Sequence, residues 1–259
     1  MTVARAGLGH GLGAPELSLF GGWAVFSTLG VFFPWLEMFV PSLWEGPRGR
    51  RQVALTFDDG PHPATTRQVL ALLAPTRHRA TFFVLGEKVR RHPEVVREIH
   101  AAGHALGVHG DVHDRLHSFR GPARVAAEIA RAQDAVEATC GVRPRWFRPP
   151  LGHTSPLTAL GVRRAGVRVV GWSARGYDGL RGRSRDDVLA SLRPTLNDGA
   201  IVVLHDAAER DDFEPAGISA LPEIFTLLEQ RGLTSVGLSS WYPEPSEPVT
   251  RSEFRLDPA

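Results

Sequence analysis

The chain has 259 residues, 42% of them hydrophobic and 22% charged, which suffices for one sizeable core and places it in the globular range. Its formal net charge is only +2, and no basic run interleaved with aromatics occurs, so composition excludes an electrostatic case for nucleic-acid binding. Cys140 is the single cysteine, which excludes an intramolecular disulfide; at a predicted helix end with no base beside it, it reads as a small apolar group.

Residues 17–36 carry no charge and hold Phe20, Trp23, Phe26, Phe32, Phe33 and Trp35. Roughly 20 apolar residues span a bilayer, and glycines and a proline such as Gly21, Gly22, Gly30 and Pro34 are tolerated there better than in a soluble helix. No small-x-small cleavage site follows, which disfavours a signal peptide. Residues 1–45 are therefore expected to be an N-terminal hydrophobic segment. Its helix would serve as a single-pass anchor and make the protein membrane-associated; the alternative is a hydrophobic helix packed on the following domain. Arg5 before the segment and Arg48, Arg50 and Arg51 after it leave the orientation open.

After the linker Gly46–Arg51, apolar runs of strand character occupy 52–57, 80–85, 104–108, 145–148, 167–172, 200–204 and 233–238. Helices lie between them: Pro93 opens one closed by Gly103, and Pro122 opens another closed by Gly141. Ser184 with Asp187 forms a capping-box pattern, and the last helix is expected over Leu221–Gly232. This alternation predicts an α/β domain over 46–242, with a parallel sheet closed as a barrel or open with both faces covered. The Pro- and Glu-rich residues 243–259 read as a disordered tail.

Polar residues cluster at the predicted strand ends. Asp58 and Asp59 follow the first strand, His109 the third, Arg148 ends the fourth, Asp178 lies after the fifth and His205 ends the sixth. In a β/α barrel those ends converge on one face. Asp59, His109 and His113 offer one oxygen and two nitrogens, the three-ligand set of a catalytic zinc, and also suit cobalt or nickel. Asp58 is next to a ligand and suits a general base, Arg148 could orient it, and His205 suits a general acid.

These residues resemble the motifs of the polysaccharide deacetylase family (NodB-homology domain, carbohydrate esterase family 4). Thr56-Phe57-Asp58-Asp59-Gly60-Pro61 is similar to its first motif, which implies Asp58 as base and Asp59 as metal ligand. His109-x-x-x-His113 resembles the motif that completes the metal site. Arg148-Pro149-Pro150-Leu151-Gly152 is similar to Arg-x-Pro-Tyr-Gly. The likeness implies that Arg148 tethers the base, that Pro149 and Leu151 border the substrate, and that the Leu151 N–H stabilises the oxyanion. Val203-Leu204-His205 resembles the Leu-x-His motif, implying Val203 as a wall for the acetyl methyl and His205 as acid. The resemblance covers residues 50–240 and implies a distorted (β/α)7 barrel, one divalent metal ion, most often zinc, and N- or O-deacetylation of an acetylated saccharide.

Three departures stand out. Gly110 replaces a Ser or Thr, with Asp111 or Asp114 left to support the histidine loop. Leu151 replaces Tyr but keeps its N–H. The fourth motif, Asp-x-x-Asp-Trp, reads Arg175-Gly176-Tyr177-Asp178-Gly179: Asp178 can still orient His205, while Arg175 adds a cation to the groove and Gly179 removes an aromatic platform. A small non-sugar or lipid-linked amide is the alternative substrate, and a binding protein with a decayed site is the alternative class.

Overall fold

The computed structural model describes residues 39–242. The hydrophobic segment expected over 17–36 and the tail expected over 243–259 lie outside the described residues. Among the described residues, no helix is long and apolar enough to cross a membrane.

The strands are β1 (Ser42–Leu43), β2 (Gln52–Asp58), β3 (Ala80–Val84), β4 (Ala105–Val108), β5 (Trp146–Phe147), β6 (Arg168–Val170), β7 (Ala174–Arg175), β8 (Ile201–His205) and β9 (Thr234–Ser235). They pair in parallel in the order β1-β6-β5-β4-β3-β2-β8-β7, with β9 added to β2. β1 falls within residues assigned from sequence to the N-terminal segment, and Val40 beside it is in the core. In β2, Val53, Ala54, Leu55, Thr56 and Phe57 are all fully buried. A central parallel strand is covered on both faces, so its apolar run does not alternate. With β3 on one side and β8 on the other, β2 delivers Asp58 and Asp59 to the middle of the sheet's C-terminal edge.

The strand expected over 167–172 is the shorter β6, and a further strand, β7, follows it on the opposite side of the sheet. Only Gly171, Trp172 and Ser173 separate β6 from β7, so the sheet must curl until these sides approach. Glu45, just past β1, makes an antiparallel bridge to Ala200 at the start of β8, and the Gly46 N–H donates to Gly199 O at 2.7 Å. The product is a curled, parallel half-barrel. A β-carbon on Gly171 would stand 2.3 Å from the Trp44 ring, so the crossing point admits only glycine without rearrangement.

Helices α1 (Thr65–Leu73), α2 (Gly86–Arg91), α3 (Pro93–Ala101), α4 (Pro122–Cys140), α5 (Pro156–Ala165), α6 (Arg185–Leu192), α7 (Ala216–Gln230) and α8 (Leu238–Trp241) complete the fold. α4 ends on Gly141 in the left-handed region at φ 75°, and Ser184 and Asp187 cap α6 reciprocally, both as expected. α7 starts at Ala216 and carries Pro222 inside it, although the sequence pointed to a start at Leu221. Burial of Ile218, Leu221, Ile224 and Leu228 in the core outweighs the proline's missing hydrogen bond. Cys140 packs against the same core and donates to Val136 O.

Candidate active site

The two adjacent aspartates point to different partners. Asp59 has φ 71°, a left-handed conformation that Asp tolerates better than most residues, and the turn separates the carboxylates. Asp58 Oδ1 accepts from Arg148 Nη1 at 2.7 Å. Asp59 Oδ1 instead faces His109 Nε2 at 3.5 Å and His113 Nε2 at 3.8 Å. Gly60 follows because a β-carbon there would meet the Asp206 carboxylate at 2.1 Å.

His109 extends the β4 ladder through its N–H to Val84 O at 2.9 Å, and Gly110 then turns the chain at φ 103°. That conformation suits glycine and not the Ser or Thr of the family motif. Asp111 takes over the support: its carboxylate meets Arg90 on α2 at 2.8 Å and Arg131 on α4 at 2.9 Å. The amides of Gly86 and Glu87 donate to Gly110 O and Asp111 O. Asp114 holds the next turn, accepting from the Leu116 N–H and from Arg120. The histidine loop is thus fixed without a hydroxyl at position 110.

The donor set suits a cation. Carboxylate and imidazole atoms of Asp59, His109 and His113 lie within 4.8 Å of one another. Asp59 Oδ1 is buried with no hydrogen-bond partner. Burial raises the Asp59 pKa against the attraction of His205 and His113, so a charge there is costly unless a cation joins it. Burial, then His113, Arg148 and His205, hold His109 well below its ordinary 6.5, in the neutral form that coordinates metals. One oxygen and two nitrogens fit zinc and other divalent transition ions.

Arg148 is fully buried. Besides Asp58, it donates to Thr56 Oγ1 at 2.7 Å, Gly171 O at 2.8 Å and Val170 O at 3.4 Å, and its guanidinium lies 4.3 Å from the Phe83 ring centre. It therefore fills the gap in the ladder where the chain crosses from β6 to β7. Removing one member of a buried ion pair leaves the other unpaired, so Arg148→Met is expected to cost about 3–5 kcal/mol of stability. Urea unfolding of the variant against the wild type measures this.

On the other side, Asp178 Oδ1 lies 3.0 Å from His205 Nδ1, while its Oδ2 accepts from the His205 backbone N–H at 2.8 Å. Two bonds from one buried carboxylate fix both the ring and the strand end that bears it. A β-carbon on Gly179 would lie 2.7 Å from His205 Cε1, and one on Gly217 2.3 Å from Asp178 Oδ2. The glycine that departs from the family motif is thus what lets the imidazole approach. Burial opposes a charge on His205 and is the largest single influence. The combined attraction of Asp178, Asp59 and Asp58 exceeds it and lifts the pKa to about 9.

Of these groups Asp59, His113 and His205 open on a cavity of about 430 Å³, with Asp58, His109, Arg148 and Asp178 buried behind them. Asp59, His113, His205, Leu151 and Arg175 line it, whereas Pro149 and Val203 are buried and do not. Val203 sits inside the sheet, in register with Arg175 and Thr56, and so shares the face of the sheet that bears Arg175. The groove is not stripped of aromatics by Gly179, since Tyr177 and Phe213 also line it. Leu151, at φ 58° and 44% exposed, stands on the rim.

Two contributors carried no signal in the sequence. Glu209 Oε2 lies 3.6 Å from His113 Nδ1 and is held by Arg115. Lys88, the only lysine of the chain, is 1% exposed and donates to Ala208 O at 3.0 Å and to Asp211, pinning the loop that bears Glu209.

The family model for polysaccharide deacetylases matches residues 45–170. Over 162 residues the chain is 40% identical to the chitooligosaccharide deacetylase of Bradyrhizobium sp. (strain ANU 289), covering 61% of this chain and 72% of that one. The chain belongs to the polysaccharide deacetylase family. The structure of this family member superposes on that of the Bc1960 peptidoglycan N-acetylglucosamine deacetylase with a TM-score of 0.71. The two are 27% identical, and the match covers 83% of this chain and 98% of that one. A family 4 acetyl xylan esterase from Clostridium thermocellum, solved with a cobalt ion, gives a TM-score of 0.69 at 28% identity, covering 79% and 96%.

Proposed function

We propose that this member of the family is a metal-dependent hydrolase that removes acetyl groups from an N-acetylated saccharide, with the residues of the cavity in distinct roles. The observation that carries the reading is the set of convergent donors Asp59, His109 and His113, flanked by Asp58 on Arg148 and by His205 on Asp178. The names of relatives acting on chitooligosaccharides and on peptidoglycan N-acetylglucosamine support the substrate class.

Asp59, His109 and His113 would hold one divalent ion, zinc being our assignment, with cobalt or nickel as substitutes. When bound, such an ion supplies a Lewis acid that polarises the acetyl carbonyl and acidifies the attacking water. Asp58 accepts the proton of that water; because Arg148 occupies Oδ1, Oδ2 is the oxygen available for it. The Leu151 N–H receives the charge that develops on the carbonyl oxygen. His205, charged and oriented by Asp178, donates a proton to the departing amine. The fold that carries this chemistry is taken as the distorted (β/α)7 barrel of the family, and residues 17–36 as an anchor to a membrane.

The full-length chain loaded with zinc is expected to release acetate from chitotetraose, to lose that activity on chelation, and to regain it when zinc is returned. Acetate release that persists after the metal has been stripped to background would refute the metal-dependent reading.

A further inference from the structure

The cavity wall holds four arginines, Arg115, Arg175, Arg181 and Arg210, against three carboxylates, Asp59, Glu209 and Asp212. The carboxylates are already engaged. Asp59 faces the histidine pair, Glu209 is clamped by Arg115, and Asp212 accepts from Arg181. Arg181 also stacks on Phe213 with 5.1 Å between guanidinium and ring centre, tying the loop after β7 to the loop after β8. Arg175 and Arg210 have no carboxylate within ion-pair distance among the described residues. Arg175 is held at the end of β7 between two rings, 4.7 Å from the Tyr177 centroid and 5.4 Å from that of Trp172. Two aromatic faces restrict its conformers while leaving its N–H donors unspent.

A neutral sugar gains nothing from two guanidinium groups without an ion-pair partner beside a donor set suited to a cation. An anion does, because Arg binds carboxylates and phosphates through charge-assisted hydrogen bonds. We infer that Arg175 and Arg210 form an anion subsite on the rim of the metal cavity, and that the substrate is an acidic saccharide bearing a carboxylate or phosphate next to the acetylated sugar. This inference rests on the deacetylase reading for its acetyl group, but not for its anion.

Binding and turnover of the full-length, zinc-loaded chain test it separately. By calorimetry, N-acetylglucosamine 1-phosphate is expected to bind about tenfold or more tighter than N-acetylglucosamine, a preference that fades with added salt. In kinetics, hyaluronan tetrasaccharide is set against chitotetraose, so that a carboxylate source is distinguished from a phosphate source. Arg175→Gln and Arg210→Gln are each expected to shrink the acidic-to-neutral ratio, and Arg175→Lys to retain much of it, separating charge from loss of the aromatic stack. Arg210 makes no ring contact, so its variant serves if Arg175→Gln folds poorly. If the wild type shows no preference for either anion, or if the preference survives both glutamine variants because the metal alone carries it, the subsite is overturned. An arginine-dependent preference without acetate from any substrate would keep the subsite and discard the deacetylase reading. Acetate release without such a preference would do the reverse.

Discussion

Asp58→Asn is expected to lower kcat by roughly a hundred- to ten-thousandfold, the range that general-base catalysis contributes, while zinc content per chain stays at the wild-type value. The separation follows from the geometry. Asp58 is bonded to Arg148 and Asp59 faces the two histidines, so an amide at position 58 removes a base and leaves every metal donor in place. Arg148 keeps its bonds to Thr56, Gly171 and Val170, which limits the damage to the fold. Asp59→Ala should show the opposite pattern, with zinc lost on dialysis. Near-wild-type kcat in Asp58→Asn would remove that residue from the role of base.

The second large effect is on the pH profile of Asp178→Asn. His205 acts as an acid only while charged, so kcat/KM should fall as pH rises through its pKa. The metal-free value is about 9, and a cation on Asp59 cancels part of the attraction that raises it, so the falling limb is expected below 9. Asp178→Asn removes the nearest attraction and leaves the burial that opposes the charge. The limb should then move to lower pH, opposed only by the weaker attractions of Asp59 and Asp58, and activity at neutral and alkaline pH should fall. The stability of the fold carries the same sign: a pKa raised on folding contributes stability that is complete below about 6.5 and is lost as pH rises through the folded value. Thermal unfolding of the wild type between pH 6 and pH 10, set against that of Asp178→Asn, reads this directly. A limb that stays in place in the variant would take Asp178 out of the positioning role.

Much of this site was legible because it hangs on strand ends. The unalternating run Val53–Phe57 marks a strand buried on both faces, so the carboxylates after it had to emerge at the sheet's centre. The Pro, Gly and Ser punctuation of α3, α4 and α6 is local chemistry and was readable for the same reason. What escaped depends on contacts distant in sequence. Nothing in the run 167–172 announces that the chain leaves β6 and crosses to β7 on the other side of the sheet, because the crossing is packed by Trp44 and Arg148 from elsewhere. Glu209 reaches His113 through the hold of Arg115 and through Lys88, far away in the chain, which pins its loop. α7 starts ahead of the residue that its sequence predicts because a proline is a local signal and the core that overrides it is not. Pro149 and Val203 hold the motif positions and are buried, a fact that depends on the packed fold and not on the local sequence.

The crossing between β6 and β7 has a historical consequence. Arg148 serves two masters: it steadies the base, and it satisfies the carbonyls where the sheet folds over on itself. A descendant that abandoned catalysis could shed the histidine pair at little structural expense. It could not shed Arg148 without reopening its own architecture, nor keep it contentedly without Asp58.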